Sequence, residues 1–262
     1  MDYDALLELV KSTRSIRRFK PDPVPDEYVD KIIEVARWAP SGFNQQPWEF
    51  VVVRKPELRK KIAEYTSIYF SQSREMEATR ESWQGAWKPE PVGSEADYST
   101  APVYIIIFGD ARAKEGLPMG VMFDQHRRET IFISSLSNAF LYMHMAAGTL
   151  GLASQWVSSV STPYAHCMIK DLLGIRKELG IYDMLAVGYP AVQPRPKLMR
   201  DKDKMVHLDY CGPESFRTDK EVKEYIRKSR NWTIASHKRK PDKQRDLGYR
   251  TSRVLKKSGL DS

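Results

Sequence analysis

The sequence predicts a helix-and-strand (α+β) chain organised on one small sheet, and three observations carry that prediction. Residues 103–108, Val-Tyr-Ile-Ile-Ile-Phe, form an unbroken β-branched and aromatic run, the pattern of a central strand covered on both faces. After Asp124, Ile131, Phe132, Leu136, Ala139, Phe140, Met143 and Ala147 recur at helical spacing, which predicts one long helix with a broad apolar stripe. Shorter strand-like runs at 48–53 and 184–187 supply partners for the central strand.

Taken in order, the chain opens with a predicted helix whose Leu6, Leu7 and Val10 give an apolar face and whose Lys11 suits the last turn. Pro21, Pro23 and Pro25 impose an extended run before Asp26, a capping residue for a helix from Glu27 to about Trp38. The 39–48 connection, Ala-Pro-Ser-Gly-Phe-Asn-Gln-Gln-Pro-Trp, excludes helix and strand and displays amide and hydroxyl groups. It is either a polar binding loop or an ordinary linker into the strand at 48–53, which reads as buried.

Pro56 opens a helix expected to end near Tyr65. Residues 66–100 mix Tyr69, Phe70, Trp83, Trp87 and Tyr98 with charge and prolines, and fit either a cover over a substrate pocket or a surface helical excursion. Gly148 and Gly151 end the long helix, and 155–160 reads as a short strand or loop. Ser161-Thr162-Pro163 and Gly174 bracket a further helix, 184–187 is the last strand, and Thr218 with Glu221 forms a capping box for a helix to about Arg230.

Charge and composition narrow the function. Residues 212–262 carry 15 Lys and Arg against 7 Asp and Glu, leaving 27 against 27 in residues 1–211. The expected organisation is a neutral body, 1–211, and a basic C-terminal extension, 212–262; a neutral body argues against a nucleic-acid-binding surface. The apolar runs are too short for a membrane span and Met1-Asp2-Tyr3-Asp4 is unlike a signal peptide, so a cytoplasmic location is expected. Cys167 and Cys211 lack metal-ligand spacing and are expected as reduced packing residues. No metal site is expected.

Dinucleotide, P-loop and hydrolase-elbow motifs are absent from the sequence. His126, His144, His166, His207 and His237 show neither metal-ligand spacing nor an evident nucleophile partner, and most of them are expected at the surface or an interface. An enzyme without evident acid, base or nucleophile takes its chemistry from an organic cofactor. The run 12–19 is suggestive here. Arg14, Arg17 and Arg18 among Ser12, Thr13 and Ser15 suit either an anion site or a solvated basic turn.

Four pieces in this order, Ser12-Thr13-Arg14-Ser15-Ile16-Arg17, Pro40-Ser41-x-x-Asn44-x-Gln46-Pro47-Trp48, Leu150-Gly151-Leu152, and Gly188-Tyr189-Pro190 followed by basic residues, together resemble the nitroreductase family across residues 5–210. The resemblance implies an α+β fold with a mixed central sheet flanked by helices, and an obligate homodimer binding FMN at the subunit interface. It assigns Arg14, Ser15 and Arg17 to the flavin phosphate, ribityl chain and pyrimidine edge. Lys197 and Arg200 complete the phosphate site, with Arg195 as a substitute. It assigns Pro40, Ser41 and Asn44 to a loop packed on the partner's flavin and shaped by Gln46 and Pro47. Trp156 and Val157 lie near one ring face, with a backbone N–H of Ser158 or Ser159 at N5.

Thr13 stands where many relatives carry arginine, and Ser158-Ser159 where some carry Glu-Gly. The implied reaction is ping-pong hydride transfer from NAD(P)H through flavin N5 to an electron-poor planar acceptor, a nitroaromatic or a quinone. Reductive dehalogenation, conjugated-alkene reduction and a non-catalytic flavin-binding or interaction protein with a basic tail are the alternatives.

Overall fold

The structure is a computed structural model describing residues 2–77, 80–84, 98–193 and 197–237. The chain divides into two compact units; residues 70–94 and 195–243 form the second.

In the first unit, β1 (Trp48–Val53), β2 (Val103–Asp110), β3 (Ala153–Val157) and β4 (Leu179–Gly188) form one sheet in the order β1-β2-β4-β3. Every strand pair is antiparallel; the parallel component of the expected mixed sheet is, among the described residues, the single bridge between Ser15 and Ser154. Residues 103–108 are fully buried because side chains alternate between two covered faces. Val103, Ile105 and Ile107 meet α2 (Asp26–Arg37) and α5 (Gln125–Thr149) through Ile32, Ala36, Leu136, Phe140 and Met143. Tyr104, Ile106 and Phe108 meet Ile62 of α3 (Pro56–Glu77) and Ile169 of α6 (Pro163–Leu173). Each such buried side chain contributes roughly 1.5–3 kcal/mol, so truncating Ile105 or Ile106 would open a cavity no neighbour could fill.

The strand at 48–53 is an edge strand buried at its two ends and partly open between them, since it pairs on one side only. β2 and β4 lose register between Ile107 and Phe108: Ile107 faces Asp183 and Phe108 faces Ile181, which leaves Tyr182 as the extra residue of a bulge.

Asp124 caps α5 by accepting from the Arg127 N–H. At its other end Gly151 adopts φ 70°, with Leu152 N–H donating to Ala147 O and Gly151 N–H to Gly148 O. This paired closure lets a left-handed glycine redirect the chain straight into β3.

Several elements differ from expectation for identifiable reasons. Asp26 is the first residue of α2 rather than its cap, and its carboxylate pairs with Arg54 at 2.7 Å. α3 continues past Tyr65 to Glu77; Thr66 lies inside it, fully buried and hydrogen-bonded to the equally buried Tyr98, so the expected cover has a core residue near each of its ends. Residues 85–97, including Trp87, lie outside the described residues. α1 (Tyr3–Ser12) buries none of its side chains, leaving Leu6 and Val10 uncovered. Cys167 is exposed and Cys211 half-buried, so neither packs as a core thiol.

A four-residue helix, α4 (Met119–Met122), precedes α5. In the second unit, α7 (Asp219–His237) starts with the expected Thr218–Glu221 box and runs beyond Arg230. Lys223 on that helix lies over the Trp83 ring. Among the described residues, no helix is long and apolar enough to cross a membrane.

Candidate functional site

β3 organises the site, with a different arrangement at each end. At its start, α1 closes when Thr13 turns inward: its N–H and its hydroxyl both bind Leu9 O, at 2.9 and 2.7 Å. Thr13 therefore terminates a helix. The chain then runs alongside β3, Ile16 N–H donating to Ser154 O at 3.0 Å.

Arg14 is thereby carried into a small cavity lined by Ser12, Thr13, His144, Leu152 and Ser154 among others. Its Nη1 donates to Thr13 O at 2.6 Å, while its buried Nε has no hydrogen-bond partner. Burial holds its pKa below the usual value without removing the charge. A half-buried guanidinium with an unused buried donor stabilises an anion placed there.

His144 on α5 shares this cavity, its Nδ1 2.6 Å from Ser154 Oγ. Burial first, and then the Arg14 charge, push its imidazole down to about 4, so the ring is neutral at physiological pH and the charge of the cavity comes from Arg14. His144 is thus a hydrogen-bonded cavity residue rather than an exposed one; its place among Phe140, Met143 and Ala147 was the available signal. Ser15 is half-buried beside Ser154, and Arg17 half-buried two residues on, outside this cavity lining.

At the far end of β3 the chain enters a short turn, Ser159–Ser161. The first N–H groups of such a turn have no partner within it, which leaves the Ser159 amide available to an acceptor. Ser158 is exposed; Ser159 is buried, and its Oγ lacks a hydrogen-bond partner. Val157 points into the core between the sheet, α3 and α6, so its side chain is committed to packing. Trp156 points to the opposite face, its ring 4.1 Å from that of Phe140, with Tyr182 edge-on at 6.5 Å. Its indole N–H donates to Asp183 Oδ2 at 2.5 Å. Asp183 and Tyr182 were not anticipated; a lone acid at the head of the apolar 184–187 run was the only sequence sign.

The 39–48 loop is held against its own long helix: Gly42 N–H donates to Ser135 Oγ at 3.1 Å, and Asn138 Nδ2 to Pro40 O at 3.0 Å. Phe43, Asn44 and Gln46 all adopt positive φ, at 53°, 55° and 45°. Three non-glycine residues in the left-handed region are unusual, and the surroundings must over-determine them. Ser41 Oγ accepts from Gln46 N–H and Asn44 Oδ1 from Gln46 Nε2, each at 3.0 Å, which fastens the turn internally. Asn44, Gln46 and Phe43 face outward.

None of the loop residues lines the Arg14 cavity. Ser135 and Asn138 precede His144 on the same helix by six to nine residues, roughly 9–14 Å of rise. Lys197, exposed, and Arg200, half-exposed, belong to the second unit, where Arg200 Nη2 donates to Lys204 O at 3.2 Å. Arg195 lies outside the described residues.

The fold and this site define a class: an α+β protein with helices on both faces of an antiparallel sheet and a half-buried arginine with an unpartnered Nε beside one edge strand. The model of the nitroreductase family matches residues 10–189. An archaeal protein of Methanothermobacter thermautotrophicus, named for NADH dehydrogenase and NAD(P)H nitroreductase activity, is 28% identical over 78% of this chain and 86% of its own. The iodotyrosine deiodinase of Drosophila melanogaster is 31% identical over 71% of this chain, which spans 62% of that relative's length.

Among solved structures, an FMN-dependent nitroreductase of Clostridium difficile R20291 superposes with a TM-score of 0.56 at 23% identity, covering 78% of this chain and all but 1% of the other; a likeness of that degree carries the fold. The chain belongs to the nitroreductase family.

Proposed function

We propose that this protein is an FMN-dependent oxidoreductase acting as a homodimer, with reduced nicotinamide as donor and an electron-poor planar acceptor, a nitroaromatic or a quinone. The carrying observation is the half-buried Arg14 guanidinium, whose buried Nε has no partner, in a cavity lined by Ser12, Thr13 and Ser154 hydroxyls, the neutral His144 imidazole and the apolar Ile16, Leu152 and Ala153. Bound FMN would supply the two-electron chemistry, accepting hydride from the nicotinamide and passing it on.

In this reading Arg14 and Ser15 hold the phosphate and ribityl chain, joined by Lys197 and Arg200, while Arg17 places positive charge at the pyrimidine edge. Ser158 and Ser159 present backbone N–H groups near N5. Trp156 and Val157 support that segment from the sheet, and no side chain need be a nucleophile. Pro40, Ser41, Asn44 and Gln46 serve the partner's flavin. The outward Phe43, together with the exposed Trp38, Ile133 and Leu141, supplies apolar surface suited to a second copy.

Purification tests the reading directly. A yellow dimer whose flavin bands bleach anaerobically with NADH or NADPH supports it, and a colourless protein that refuses FMN overturns it. Arg17→Ala is expected to slow flavin reduction or weaken FMN retention; unchanged flavin content and an unchanged reductive half-reaction would remove Arg17 from the site.

The deiodinase relative favours one second reading, reductive dehalogenation on the same flavin, with residues 66–100 selecting the substrate. Halide release from a halogenated phenol, measured beside nitroaromatic and quinone reduction, separates the two.

A further inference from the structure

We propose that Asp183 is a positioning residue for the flavin-facing end of β3, holding the 156–159 segment in place through Trp156 and Ser158. This rests on the reading of that segment as the flavin-facing one.

The carboxylate is 7% exposed and sits in the sheet beside Met184 and Leu185, which are fully buried. Burying a carboxylate is costly, and packing alone would be better served by an apolar residue of similar size. The geometry shows what the charge does instead. The bulge at Tyr182 turns Asp183 toward the exit of β3. One oxygen, Oδ2, then accepts from Trp156 Nε1 at 2.5 Å and from Ser158 Oγ at 3.3 Å. The Trp156 ring is caught between this bond and Phe140, so side chains on both sides of Val157 are tied to a single atom. The turn bearing the Ser159 amide comes immediately after Ser158.

The groups facing the carboxylate are uncharged. β3 supplies the indole and the Ser158 hydroxyl, its own strand the Tyr182 phenol, α5 the Phe140 ring and Ser137, which bonds Tyr182, and β2 supplies Ile107. Burial pushes the Asp183 carboxyl up to about 6, against the lowering effect of its bonds to Trp156 and Ser158. The indole N–H is therefore a reporter of the carboxylate's charge.

Two variants separate hydrogen bonding from charge. Asp183→Asn keeps an acceptor for the indole and loses the titration, whereas Asp183→Ala loses both. In the full-length protein labelled with fluorotryptophan, the Trp156 fluorine resonance, assigned with Trp156→Phe, is expected to shift with a midpoint near pH 6 in apoprotein and to stay fixed in Asp183→Asn. FMN affinity is expected to fall about tenfold or more in Asp183→Ala, the loss of a buried charge-assisted bond, and to be largely restored in Asp183→Asn.

A Trp156 resonance that ignores pH, or FMN affinity in Asp183→Ala equal to the parent's, would overturn the proposal. If Asp183→Ala fails to fold, the resonance in Asp183→Asn still decides it. Failure of the parent protein to bind FMN would instead overturn the function reading, leaving the Asp183–Trp156 coupling to be judged by the resonance alone.

Discussion

The two ends of β3 draw opposite charges out of solvent, one partly and one almost fully, with opposite consequences. At the Ser154 end the charge is the half-buried Arg14, and the neighbouring imidazole is pushed down to about 4. At the Ser158 end the buried charge is Asp183, with its carboxyl pushed up to about 6. Desolvation is the leading cause in both, and among the described residues neither end carries a compensating ion pair of the kind that links Lys114 to Glu129 on the same unit. The ends are roughly 13 Å apart at strand spacing. A strand that tolerates a cation without its anion at one end and an anion without its cation at the other is poorly optimised for stability, and such residual cost concentrates where a ligand will act.

The comparison can be broken most forcefully at the cationic end. Arg14→Ala removes a charge that nothing else in the cavity replaces, His144 being neutral, and FMN affinity is expected to drop by about 10- to 100-fold by fluorescence titration. A loss smaller than about threefold would show that Arg14 is a packing residue.

Acid stability comes next. His144 has a depressed folded pKa, so its contribution is present above pH 6.5 and is lost as pH falls toward 4. His144→Asn is expected to flatten that loss, up to a little over about 3 kcal/mol, in apoprotein denaturant titrations across the interval.

Asp183 has the opposite sign and the smallest effect. Its raised folded pKa contributes stability below pH 3.8 that disappears as pH rises through about 6. Asp183→Asn is therefore expected to be more stable than the parent above pH 6 by up to about 3 kcal/mol, and level with it near pH 4. Equal stability of the two proteins at every pH would mean that the carboxylate is solvated and the symmetry of the two ends is false.

How much of this was legible depended on whether a residue's own chemistry reports its surroundings. The central strand was readable because its run is apolar on both faces, and the Gly151 turn because glycine marks left-handed backbone. Phe43 adopts the same kind of backbone and gives no such sign, so the restraint stored in the 39–48 loop was hidden although its polarity was plain. α3 was cut short at Tyr65 because Thr66, Ser67 and Ser71 dilute the helical pattern, whereas tertiary burial of Thr66 against Tyr98 favours continuation. Arg14 could be picked out beside its hydroxyls. Asp183 could not, because its meaning depends on a one-residue bulge that only the pairing of β2 with β4 defines.

The strand order has a consequence for how the chain is made. β1 pairs with β2, but the neighbour that completes the middle of the sheet, β4, comes only after α5, β3 and α6 have been synthesised. A nascent chain paused after β2 holds two strands whose most apolar member lacks half its partners. Until residues through Gly188 leave the ribosome, that edge is open to other chains, and the long α5, with its local contacts, is the element best placed to shelter it.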